Sequence, residues 1–120
     1  MDLDGLNKCV TNAILRAERL ELRSWEAQRA FREVADLEEE IATLAGAQSL
    51  EGEIARLGAV TAALSSGEPL RALQLGERYR SEALSDATRA KLDELLREAE
   101  SEIADAAATA PDVAQGDRHP

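Results

Sequence analysis

Apolar side chains recur along this chain at alternating steps of three and four. Leu3, Leu6, Val10, Ala13, Ala17 and Leu20 make a first stripe. This spacing keeps one face of an α-helix apolar and, when sustained, builds coiled coils. Ser24, Ala27 and Phe31 continue it weakly, with Trp25 beside it, and Val34, Leu37, Ile41 and Leu44 restore it. Residues 4–45 therefore read as one long helix, or two nearly collinear ones, with Asp4 placed to cap the start. Ser24 offers a cap for a second helix, but an unbroken helix requires fewer assumptions. At 1.5 Å per residue it would be about 60 Å long. The rest of the chain cannot bury that whole length, so part of it is expected to be exposed or to meet a partner.

Ala45-Gly46-Ala47-Gln48 is the first turn signal, and Ser49 follows as an N-cap. Leu50, Ile54, Leu57, Thr61 and Leu64 carry the next stripe. The step of six from Leu44 to Leu50 breaks the heptad frame. A turn at Gly46 is favoured over a continuous helix with a local stammer, because Gly followed by a Ser cap marks one helix end and a new start. The expected product is an antiparallel coiled-coil-like hairpin of helices 4–45 and 49–65, with Leu50, Ile54, Leu57 and Leu64 facing the first helix. Gly52 and Gly58 interrupt the second helix. Each weakens it by about 1 kcal/mol relative to Ala, and either permits close approach of another helix or marks a labile region.

Ser65-Ser66-Gly67-Glu68-Pro69 is the clearest boundary, with Gly suited to a helix end and Pro to a first helical position. A third helix over 69–80 is expected, with Leu70, Leu73 and Tyr79 inward. Ser85-Asp86 opens a fourth over 85–108, with Leu92, Leu95 or Leu96, Ala99, Ile103 and Ala106 inward; the two are alternatively joined through Glu82 and Ala83. Residues 109–120 hold two prolines and a glycine without periodicity and read as a disordered tail. The whole is an all-α chain, with 1–110 forming a single helical domain.

Composition sharpens this picture. Leu, Ile, Val and Phe make only 26 of 120 residues, and Trp25, Phe31 and Tyr79 are the only aromatics. A core that thin implies close packing on alanine or burial against a partner. Val, Ile and Thr total 13, so a sheet is improbable. The net charge of −10 argues against nucleic acid and anionic membranes as partners. Cys9 is the single cysteine, no apolar run is long enough to span a bilayer, and the acidic start lacks a secretory signal, so the cytoplasm is the expected compartment.

Candidate chemistry is sparse. His119 is the only histidine and falls in the tail, which leaves no Ser-His-Asp or Cys-His nucleophile system and no zinc or di-iron ligand set. The acidic clusters Glu38-Glu39-Glu40 and Glu98, Glu100, Glu102 read as solvated faces, since consecutive helical carboxylates diverge by about 100°. Their functional reading is a docking patch for a basic partner. Cys9 reads as a structural thiol, or as one that cross-links a parallel dimer. Residues 69–97 resemble a helix-turn-helix in outline, but interleaved acids leave them at +1, and intrahelical ion pairs account better for that pattern. Heptad-rich helices are too widely shared to single out a family.

The expectation is a non-enzymatic helical interaction module, such as an adaptor, chaperone or assembly subunit, that buries an apolar helix face against another protein or itself. Trp25, Phe31, Val34, Leu37 and Ile41 are the candidate interface residues. No cofactor, metal or small molecule is expected. The alternative is an acidic regulator, antitoxin-like, that occupies a basic site on its target; a DNA-associated regulator is more distant.

Overall fold

The computed structural model describes residues 1–109 and contains five α-helices: α1 (Leu3–Glu18), α2 (Trp25–Ala45), α3 (Leu50–Ser65), α4 (Pro69–Arg80) and α5 (Asp86–Thr109). No strand occurs among the described residues. The expected tail lies outside them, apart from Thr109, which closes α5.

The single long helix expected over 4–45 is not what forms. The chain leaves α1 at Arg19, Arg23 adopts φ 65°, and Ser24 opens α2. The Ser24 hydroxyl accepts the Ala27 N–H at 3.1 Å, satisfying a donor that a helix start leaves free. The apolar stripe runs through this break without a change of phase, which is why periodicity hides it. Folding back lets each half bury its stripe on the other. Leu6, Val10, Ala13 and Ala17 of α1 are buried, as are Ala27, Val34, Ala35, Ile41 and Ala42 of α2. An Arg16–Glu33 ion pair on the surface fits the antiparallel run of α1 and α2. Asp2, not Asp4, caps α1, accepting the Gly5 N–H at 2.9 Å.

Gly46 ends α2 at φ 78°, and Ser49 caps α3 by accepting the Gly52 N–H at 2.9 Å. At the far end of α3, Gly67 takes φ 76°. There Glu68 N–H bonds the Ala63 carbonyl and Gly67 N–H bonds the Leu64 carbonyl, the paired closure of a Schellman motif. Pro69 then occupies the first turn of α4, and its missing N–H costs nothing there. Residues 81–85 separate α4 from α5, and Ser85 caps the latter through the Thr88 N–H at 3.2 Å.

Each helix packs on its chain neighbour, and α3 also meets α5. Helices α3, α4 and α5 thus form a three-sided cluster. From it α2 and then α1 extend as a single layer, with the backbone of α1 close to α2 alone. The result is elongated, 58 × 31 × 19 Å.

Helix α3 is the hub, and it inverts the expected facing. Its buried positions are Gly52, Ala55, Arg56, Ala59, Val60, Ala62 and Ala63. The larger stripe expected to face the first helix lies at or near the surface. Leu50 is 74% and Ile54 58% exposed, while Leu57 and Leu64 are half-buried against the core. Packing on three helices demands small side chains on most of the circumference, because alanines and glycines let helix axes approach closely. The larger side chains are pushed to the remaining sector. The helices on either side of Gly46 do pack on each other, with the small residues of α3 buried and its larger stripe only partly so.

The same selection acts on α4 and α5. Ala72, Leu75, Gly76 and Tyr79 are buried, whereas Leu70, expected inward, is 59% exposed. Leu92 and Ala99 of α5 are fully buried, and Ala106 is exposed. Each large core side chain, such as Leu6, Ile41, Val60 and Leu92, contributes about 1.5–3 kcal/mol by leaving water.

Candidate functional site

Because α2 is flanked by α1 and α3, whose backbones do not come close to each other, a valley is left over α2. Asn7 of α1 forms one side, Ile41 and Glu38 of α2 the floor, and Leu50, Glu51, Ile54 and Ala55 of α3 the other side. The space is about 390 Å³. The Asn7 side-chain amide donates to Glu51 at 2.5 Å and ties the two walls together. Leu50 and Ile54 stand one helical turn apart on the exposed wall.

Glu38 is the unusual residue of this valley. Its carboxylate lies against Gly58 of α3, in the space that a Cβ would fill. It has neither a hydrogen-bond nor an ion-pair partner among the described residues, and burial pushes its pKa up to about 7. Loss of hydration without a compensating charge or donor produces that shift. Its position was partly legible in the sequence: Val34, Glu38 and Ile41 are spaced four and three, so the carboxylate stands within the apolar stripe. The glycine opposite it required the tertiary structure.

The neighbouring Glu39 is differently placed. Arg71 of α4 binds Glu39 at 2.5 Å, Asp36 at 2.6 Å and Glu68 at 3.3 Å, so the network pins α4 to α2. Burial opposes ionisation of Glu68, but the Ser66 hydroxyl and Arg71 outweigh it and hold that carboxyl below its ordinary range. Arg56 of α3, only 5% exposed, reaches Glu82 at 2.7 Å and the Gly52 carbonyl at 3.0 Å. Its guanidinium also lies 5.3 Å from the Tyr79 ring centre. These carboxylates are engaged within the chain. The acidic run 38–40 is thus divided, and only part of it is a solvated face.

A second crevice, of about 500 Å³, lies between the α1–α2 turn, the end of α3 and α5, and is lined by Arg23, Glu98, Glu102 and Asp105 among others. Burial raises the pKa of Glu102, and Glu98 raises it further. No group of three or more His, Cys, Asp or Glu side chains among the described residues is placed to hold a metal ion. No helix among them is long and apolar enough to cross a membrane. His119 lies outside the described residues. Cys9 is half-buried, with its sulfur 3.7 Å from that of Met1.

The five residues read from the sequence as an interface are not brought onto one free surface. Val34 and Ile41 are buried in the core, and Phe31 and Leu37 are half-buried against it. Trp25 alone stays open, 66% exposed, with the Arg29 guanidinium 5.1 Å from its ring centre. Leu50 and Ile54, assigned inward by periodicity, take the exposed role instead.

No protein-family model, curated protein or solved structure matches this chain.

Proposed function

We propose that this chain is a non-enzymatic helical interaction module that presents an apolar helix surface to another protein. One observation carries the reading. On α3 the small residues fill the interior while Leu50 and Ile54 are left in water beside a formed valley. Exposing a large aliphatic side chain forgoes about 1.5–3 kcal/mol of burial, and contiguous exposure of this kind marks association surfaces. Leu44, Leu22 and Trp25 add further exposed apolar area. Charge mimicry by an acidic regulator has less support, because Asp36, Glu39 and Glu68 are engaged within the chain in ion pairs with Arg71, Arg32 and Arg78.

In-cell cross-linking of the chain and of its Leu50→Ser/Ile54→Ser variant tests this. The wild-type chain should give a defined adduct that the variant loses while its melting temperature is unchanged. A wild-type chain that stays an uncross-linked monomer, or a variant that keeps the adduct, would refute the proposal.

A further inference from the structure

We propose that the α1–α3 valley binds one amphipathic helix of another protein, with that helix's Leu-type side chains between Leu50 and Ile54 and a Lys or Arg beside Glu38. The inference rests on the interaction reading above and adds the identity of the surface and the chemistry of its occupant.

Three features of the valley specify a helix. It is the trough between two helices that flank a third, a shape that a fourth helix fills by ordinary ridge-and-groove packing. Its exposed wall presents Leu50 and Ile54 one helical turn apart, a step of four that matches the 3.6-residue repeat of an incoming helix. Its floor, at Ile41, is already apolar and buried.

Charge specifies the rest. Among the described residues, the lining carries two carboxylates, Glu38 and Glu51, and no Lys, Arg or His. Glu51 is held by Asn7, whereas Glu38 has no partner among the described residues. A docking helix would exclude more water from Glu38. An apolar or acidic face would leave a buried carboxylate uncompensated, whereas an ammonium or guanidinium converts that cost into a charge-assisted hydrogen bond. A second copy of this chain is a poor occupant, because it would bring another −10 to an acidic valley.

Calorimetric titration of the full-length chain at about 0.15 M salt tests the assignment. The probes are an amidated Leu/Lys amphipathic peptide of about 20 residues and a twin with every Lys replaced by Glu. The Leu/Lys peptide should saturate at a single site, and the Glu twin should bind at least about tenfold more weakly. Ile54→Ser and Glu38→Gln should each weaken the Leu/Lys peptide by about tenfold. Glu98→Gln on α5 should leave it unchanged. Glu38→Gln removes a poorly solvated charge, so weaker binding together with an undiminished melting temperature separates a binding role from a folding one.

Absence of saturable binding, or equal weakening by Glu98→Gln, would overturn the proposal, the latter showing diffuse attraction to an acidic protein. Binding indifferent to Ile54→Ser would overturn it as well. If the peptide fails in this way while the cross-linked adduct is still lost in the Leu50→Ser/Ile54→Ser variant, the interaction reading stands without this occupant. Failure of both tests removes both.

Discussion

Glu38 shows how much a single position depends on its neighbours across the fold. Glu38, Glu39 and Glu40 are chemically identical and adjacent, yet Glu39 is bound by Arg71 while Glu38 lies against Gly58 with no partner among the described residues. The consequence for pH follows from linkage. Folded, Glu38 keeps its proton up to about pH 7, whereas in the unfolded chain it gives the proton up near 4.5. Between those values the folded state binds more protons, so this residue's contribution falls as pH rises, and the full penalty is present above pH 7. Glu38→Gln should therefore leave stability unchanged near pH 4.5. At pH 8 it should raise stability by about 1 kcal/mol, a figure already reduced for partial solvent screening. Urea melts at the two pH values check this, and an equal effect at both would contradict it.

At the scale of the element, α3 separates what periodicity can and cannot assign. The stripe Leu50, Ile54, Leu57, Thr61, Leu64 has helical spacing, and a helix forms there with Ser49 as its cap. Spacing alone names the faces of a helix but not which face is buried. With neighbours on three sides, the alanine face wins because it permits closer axial approach. The two glycines of α3 test this directly. A Cβ at Gly52 would collide with the Gly46 carbonyl, which is backbone and cannot move aside; a Cβ at Gly58 would meet only the flexible end of Glu38. Gly52→Ala should destabilise the protein by about 1–2 kcal/mol, overpacking exceeding the gain in helix propensity. Gly58→Ala should stabilise it by up to about 1 kcal/mol and, by displacing the carboxylate toward water, return the Glu38 pKa toward its ordinary value. Thermal denaturation and an NMR titration of the Glu side chains report the two effects.

Across the whole molecule, the decisive event is the reversal at residues 19–24, which turns one long apolar stripe into two facing ones. Ser24 supplies the cap, and Arg23 accepts a left-handed conformation uncommon for its residue type. Ser24→Ala should cost about 1 kcal/mol and raise hydrogen exchange first at the α2 start, around Ala27 and Gln28. A variant that exchanges no faster there would mean that packing alone holds the turn. The all-helical class, the turns at Gly46 and Gly67 and the start of α4 at Pro69 were determined by the sequence itself. Each depends on local chemistry: helix propensity, left-handed glycine, a proline without an N–H, and Ser caps reaching three residues along their own chain. The fold-back after α1, the inversion of α3 and the isolation of Glu38 were decided only in three dimensions. Each depends on which helix lies opposite, and an apolar stripe carries the same spacing whether its partner is the next helix, a distant one or another protein.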